Sequence, residues 1–188
     1  KNDYGVLFQF DPATNTFTKK YDFDELGGGS PRGTLMEAKN GKLYGTTISG
    51  GTEGVGTLFE FDPVTSIYTK KFDFDGKANG GLACPLLVEG NDGNLYGTTV
   101  YGGKNDYGVL FQFVISNSNY TVKIDFDGEA RGASSQTALT KAKSGVFYGV
   151  TKYGGTYNEG TIFEYDPATS IITKKFNFND KQDVTGNF

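Results

Sequence analysis

Apolar and polar positions alternate along this chain in short bursts separated by glycine. In Gly56–Asp62 (GTLFEFD) the alternation is strict, with Thr57, Phe59 and Phe61 on one face and Leu58 and Glu60 on the other. A period of two marks a β-strand. Around it the pattern predicts a first strand over Thr34–Glu37 (TLME), a tight Asn40-Gly41 turn, and a second strand over Lys42–Ile48 (KLYGTTI) closed by Gly50-Gly51. Asp62-Pro63-Val64-Thr65 reads as a turn, because proline presets φ and the aspartate can accept from the turn's own amides. A fourth strand follows over Ile67–Asp75 (IYTKKFDFD), and Gly76 to Gly81 connects to the next copy.

The bursts recur. KNDYGVLFQF at Lys1–Phe10 returns letter for letter at Lys104–Phe113, and Gly5, Gly56, Gly108 and Gly160 are spaced by 51, 52 and 52 residues. A fixed period near fifty signals a repeat architecture. Four antiparallel strands per copy, with an apolar face that one copy cannot bury, must stack on neighbours. The expected fold is all-β, a β-propeller of four-stranded antiparallel blades. A β-solenoid competes, but its coils have shorter periods and equal strands, whereas these four strands differ in composition. The chain reads as one repeat domain, 1–188: a half-blade over 1–30, blades over about 31–80, 81–132 and 133–180, and a tail over 181–188. About three and a half blades fall short of the four to eight that close a ring. Either the chain is a fragment of a longer ring, or copies associate to complete one; self-association is expected, with a homodimer of half-rings as its simplest form. The third copy has VISNSN (Val114 to Asn119) in place of the D-P-x-T turn, which predicts a different, more polar hairpin there. The fourth has Asn177 and Asn179 where the others have aspartate.

The double glycine after the second strand (Gly50-Gly51, Gly102-Gly103, Gly154-Gly155), then F-x-[FY]-D-P-x-T and a later aromatic, resembles a kelch-type blade. The final aromatic, usually Trp in kelch repeats, is Phe17, Tyr68, Tyr120 and lastly Ile172. More closely, L-Y-G-T-T-x-x-G-G with G-[TV]-L-F before D-F-D-G resembles the Gloeo/Verruco (GloVer) tandem repeat of bacterial secreted and surface proteins. The matching segments are Leu43–Gly51, Leu95–Gly103 and Phe147–Gly155. The resemblance covers nearly the whole chain. It implies kelch-like blades and an extracellular or bacterial cell-surface location, and it defines no biochemical activity.

Composition narrows the chemistry. The net charge is −4, and Arg32 and Arg131 are the two arginines, so the basic stripe of a nucleic-acid surface is missing. No run approaches eighteen apolar residues, so no membrane span is expected. The single Cys84, before Pro85, excludes an internal disulfide and a multi-cysteine metal site, and reads as a small buried hydrophobe. The chain has no histidine, which excludes a nucleophile–histidine site.

The remaining candidates are repeated polar residues. Asp22/Asp24, Asp73/Asp75 and Asp125/Asp127 are spaced to share a strand face with Lys20 and Lys71. Such pairs suit acid–base chemistry or calcium, but the favoured reading is an outermost strand that needs charge against edge pairing. Asp73 and Asp75 with Asn79 offer oxygens on a glycine turn, a calcium candidate without the closing glutamate of an EF-hand, and otherwise no cofactor or metal is expected. Tyr44, Tyr96 and Tyr148 in the strand motif, with Tyr101 and Tyr153 beside the double glycines, are candidate ligand-binding residues that could stack on sugar rings. For the first three, packing between blades is the favoured reading; Ser49 replaces the loop tyrosine in the first copy. The glycine pairs lack the helix and lysine of a phosphate loop, and Asn119-Tyr120-Thr121 is a three-letter glycosylation match.

The leading functional expectation is a non-enzymatic binding or adhesion module meeting a glycan or surface protein. The alternatives are a structural or self-assembling spacer, and a polysaccharide-active enzyme with carboxylates in a propeller channel.

Overall fold

The computed structural model describes residues 3–83 and 86–179. Among them there is no helix, and every sheet is an antiparallel meander. Sheet I is the hairpin β1 (Val6–Asp11) and β2 (Thr16–Asp22). Sheet II holds β3 (Gly29–Pro31), β4 (Met36–Glu37), β5 (Leu43–Ser49), β6 (Thr57–Asp62) and β7 (Ile67–Asp73). Sheet III repeats this with β8 (Gly81–Ala83), β9 (Val88–Glu89), β10 (Leu95–Tyr101), β11 (Val109–Val114) and β12 (Asn119–Asp125). Sheet IV contains β13 (Thr140–Lys141), β14 (Phe147–Thr151), β15 (Thr161–Asp166) and β16 (Ile171–Asn177).

Two strands differ from expectation. The first strand is split: β4 pairs with the start of β5 (Met36 opposite Tyr44), while β3 pairs with its end (Pro31 opposite Thr47). β3 ends at Pro31, which offers no N–H to the ladder, and Gly33 then turns at φ +102°. In sheet III the corresponding break contains Cys84 and Pro85, so the reading of Cys84 lies outside the described residues. The fourth strand ends at Asp73 and not at Asp75, because Asp75 turns away to accept the N–H groups of Lys77 and Asn79, both at 2.8 Å.

The VISNSN turn also differs less than its sequence suggested. Asn117 accepts the Asn119 N–H, where Asp62 accepts from Val64 and Thr65 in sheet II. Ser118 adopts φ 56°, beside Asn15 at 52°, Ser66 at 56° and Ser170 at 57° at the same place in the other hairpins. All four hairpins carry a register shift one step into the ladder, at Leu7/Phe8, Leu58/Phe59, Leu110/Phe111 and Ile162/Phe163. A bulge kept in every copy sharpens the twist of the outer strands in the same way each time.

The periodic glycine has a steric origin. Gly56, Gly108 and Gly160 have φ of +106°, +87° and +96°, and a Cβ on any of them would collide with the carbonyl of Thr47, Thr99 or Thr151. Only glycine allows the third strand to start that close to the second.

Sheets stack face to face and bury three successive cores. Leu7 and Phe23 of sheet I meet Phe59 and Phe61 of sheet II. Tyr44, Leu58 and Phe74 of sheet II meet Leu95, Phe111 and Phe113 of sheet III. Tyr96, Leu110 and Phe126 of sheet III meet Phe147, Phe163 and Tyr165 of sheet IV. The alternation in β6 therefore separates two cores and not inside from outside: Leu58 faces sheet III, Phe59 faces sheet I, and even Glu60 is only 8% exposed.

Candidate binding surface

The loops between second and third strands and the connections leaving each fourth strand gather along one rim. At the junction of sheets II and III, the Gly103 N–H donates to the Lys77 carbonyl at 2.5 Å. A Cβ on Gly102 would overlap the backbone of Gly80, so the double glycine serves close backbone approach between neighbouring sheets.

The acidic pairs are divided between two tasks here. The first member ties the loop of its own sheet: Asp125 accepts the Lys104 N–H at 2.8 Å, and Asp73 accepts the Thr52 N–H at 3.2 Å. Asn177 does the same for Thr156 at 3.1 Å, which explains why an amide can replace a carboxylate there. The second member caps the following turn, Asp75 through Lys77 and Asn79, Asp127 through Ala130 and Arg131. Asp75 also accepts the Asn79 side-chain N–H at 2.9 Å. The bulge sets Lys70 beside Asp73 at 2.8 Å and sends Lys71 to Glu60 at 3.5 Å, so Lys71 does not share the face of the aspartates. Among the described residues, no three His, Cys, Asp or Glu side chains stand close enough to hold a metal ion.

The tyrosines divide by burial. Tyr44 and Tyr96 are closed off between sheets, 0% and 1% exposed. Tyr44 donates to Glu60 at 2.7 Å and Tyr96 to Asp92 at 2.8 Å. Neither can touch a ligand at the surface. Burial first, then the bonded carboxylate, pushes both hydroxyls far above the ordinary tyrosine range. Tyr148, at the same motif position, lies on the uncovered face of sheet IV, 37% exposed, and donates to Glu164. Tyr101 rests half-buried against Gly76 and Gly81. Tyr153 is 44% exposed, with the Lys152 ammonium 4.9 Å from its ring centroid.

Two exposed rim tyrosines were missed in the sequence, Tyr107 at 44% and Tyr157 at 56%. Tyr107 lies on Gly128, and its carbonyl accepts the Ser134 N–H at 2.8 Å. Ala133 exchanges hydrogen bonds with Tyr153 at 2.9 and 3.2 Å, so Tyr107 and Tyr153 flank the Ala133–Ser134 segment. Tyr157 stands on the loop that follows Tyr153. The available signal was position: both lie between a double glycine and the periodic glycine. Tyr107 repeats Tyr4 but is Val55 and Glu159 in the other copies, and Tyr157 aligns with Glu53 and Asn105, so neither position is a tyrosine throughout the repeat.

Clefts open on the outer side of these junctions. The one between sheets II and III measures about 920 Å³ and is lined by Lys77, Asn79, Lys104, Asp106 and Val122 among others. Its counterpart between sheets III and IV, lined by Asp127, Glu129, Ala130, Thr156 and Lys174, measures about 400 Å³. Lys174 crosses the smaller cleft to the Glu129 carbonyl at 3.2 Å, as Lys70 reaches the Leu26 carbonyl at 2.9 Å at the junction of sheets I and II. Val122 holds that position in sheet III and cannot span the gap, which leaves the larger cleft open.

A family model described as the Gloeobacter/Verrucomicrobia repeat matches residues 1–187. No curated protein sequence matches. Among solved structures, the chain is similar to TolB from Acinetobacter baumannii, with TM-score 0.59, 13% identity, and 93% of this chain and 38% of that one covered. It is also similar to the extracellular domain of the putative hybrid two component system BT4673 from B. thetaiotaomicron, with TM-score 0.62 and 15% identity over 94% of this chain and 20% of that one. A second structure of that extracellular domain gives TM-score 0.63 at 15% identity, covering 95% and 20%. The chain thus spans well under half the length of these structures, and at such identities the likeness is one of fold.

Proposed function

From the premise that the chain belongs to the Gloeobacter/Verrucomicrobia repeat family, we propose that it is a non-catalytic binding module of an exported bacterial protein. Its four sheets act as kelch-like propeller blades and present one rim to a glycan or surface protein outside the cell. The observation that carries this reading is the group of exposed rings at the junction of sheets III and IV. Tyr107, Tyr153 and Tyr157 stand open to solvent, while the strand tyrosines Tyr44 and Tyr96 are sealed. Amphipathic rings held on glycine-rich loops suit stacking on sugars and on protein side chains. The clefts support it too, since an equivalent scaffold carries Lys77 and Lys104 at one junction and Glu129 and Thr156 at the next. Weak single contacts would add through multivalency. The non-catalytic part rests on carboxylates that are dispersed over the sheets and engaged by backbone amides, tyrosine hydroxyls or lysines.

The test is a glycan array and a bacterial-surface binding assay with the native chain and a Tyr153→Ala variant. Specific binding that weakens about ten-fold, near 1.4 kcal/mol, in the variant is expected. Silence of both assays at high protein concentration, or a variant that binds as the native chain does, removes the reading in favour of a spacer. Running the assay with EDTA addresses calcium at Asp73, Asp75 and Asn79; the proposal includes no cofactor, so binding and thermal midpoint should not change.

A further inference from the structure

Each internal junction is built around a cluster of four side chains on the outer strands. Sheet I contributes Tyr21 and Phe23, edge to face at 5.3 Å, and sheet II receives them with Phe59 and Tyr68, 5.1 Å apart. The two halves join by stacking Tyr21 on Tyr68 at 3.9 Å and 6°, with Phe23 edge-on to Phe59 at 5.4 Å. The next junction repeats this: Phe72 stacks on Tyr120 at 3.9 Å and 5°, and Phe74 meets Phe111 at 5.7 Å. At the third, Ile124 and Phe126 of sheet III stand at the same repeat positions, with Phe163 and Ile172 of sheet IV opposite.

Both halves of one more cluster exist at the two ends of the stack, without partners among the described residues. On the outward face of sheet IV, Phe176 and Phe178 meet edge to face at 5.3 Å and 75°, the geometry of Tyr21 with Phe23. On the outward face of sheet I, Phe8 and Phe17 stack at 4.8 Å and 26°, close to the 5.1 Å and 29° of Phe111 with Tyr120. Phe8 and Phe17 are 54% and 58% exposed and Phe176 is 46%, whereas Phe59 and Phe111, the counterparts of Phe8, are 1% and 0%. Exposed aromatic surface of this extent marks an interaction site. The chain's own interior specifies what fits it.

We propose that the outward face of sheet IV docks on the outward face of sheet I of a second copy of this chain, with Phe176 stacking on Phe17 and Phe178 meeting Phe8 edge-on. The contact is heterologous, since donor and acceptor halves differ, so it joins molecules head to tail and either closes a ring or extends. Two closed copies would set eight sheets around one axis, inside the range that propellers use. The proposal is independent of the rim reading, because it places no demand on Tyr107, Tyr153 or Tyr157.

Sedimentation velocity from low micromolar to near-millimolar protein tests it. The native chain should rise from 20.3 kDa to twice that mass or higher multiples. Phe17→Asp and Phe176→Asp should each remain monomeric, with unchanged far-ultraviolet circular dichroism because both rings are exposed. Mixing the two variants should restore a single one-to-one dimer that does not grow, since each retains the face that the other lacks. A native chain that stays at 20.3 kDa throughout, variants that associate as the native chain does, or a mixture that stays monomeric would each overturn the proposal.

Discussion

Tyr44, Tyr96 and Tyr148 hold one motif position, yet their polar partners differ: Tyr44 and Tyr148 donate to the equivalent Glu60 and Glu164, and Tyr96 to Asp92. In sheet II the buried Glu60 accepts from Tyr44 and from Lys42 at 3.1 Å, with Lys71 at 3.5 Å. In sheet III neutral Gln112 stands there and donates to Tyr96 at 2.7 Å. Burial pulls the Glu60 carboxyl upward, but the bonds from Tyr44 and Lys42 and the charge of Lys71 outweigh it and hold its pKa below the ordinary glutamate range. A depressed carboxylate pKa stabilises the fold above the unfolded value of about 4.3 and loses that contribution as pH falls through the folded value. Glu60→Gln should therefore cost about 1 kcal/mol at neutral pH. Denaturant titrations should show the gap to the native chain closing toward pH 3; a gap independent of pH would remove the charge from the explanation. That Tyr44 and Tyr96 pack between sheets was readable from their place in an apolar strand. That Tyr96 bonds Asp92 was not, because Asp92 lies on a turn and its position is not an acid in the other copies. Glu60 and Glu164 stand sixteen residues after Tyr44 and Tyr148, and that pairing became readable only once the strand register was known.

Strands were legible wherever a single residue type dictates backbone shape. The D-P-x-T turns, the double glycines and the alternating third strand fall within a residue or two of their expected places. The inner strand was not, since its first piece ends at Pro31, Gly33 turns the chain before the second, and neither piece is long enough to show a period. Burial on both faces of β6 was also hidden, because alternation within one sheet does not reveal that both sides have neighbours. The periodic glycine gives a direct test of the sterics at this scale. Gly108 sits at φ +87° against the Thr99 carbonyl, backbone on backbone, so no side-chain movement relieves an added methyl. Gly108→Ala should cost about 2–4 kcal/mol, from positive-φ strain together with displacement of β11. An equivalent loss is expected for Gly160→Ala, measured as a fall in thermal midpoint, while Gly54→Ala, with positive φ but open space around it, should cost less.

Stacked sheets that touch only their neighbours distribute stability along one dimension. Sheets II and III are covered on both faces, whereas sheets I and IV each bury one face and leave Phe8, Phe17, Tyr148 and Phe176 in water. Sheet I is further limited to two hydrogen-bonded strands among the described residues, and an isolated two-stranded ribbon is marginal by itself. Local opening free energy should therefore fall from the middle of the stack outward. Hydrogen exchange followed by mass spectrometry in dilute solution should find the amides of β10 and β11 slowest, those of β15 intermediate, and those of β1 and β2 fastest. Uniform protection would mean that the chain opens as a single cooperative unit and that the neighbour-by-neighbour description fails. Head-to-tail docking acts on the same profile from its ends: raising the concentration of the native chain should slow exchange in β2 and β16, where the two halves of the aromatic cluster lie, and leave β10 and β11 unchanged. In Phe17→Asp the gradient should persist while its dependence on concentration disappears, because the substitution removes the neighbour outside the chain and none of those within it.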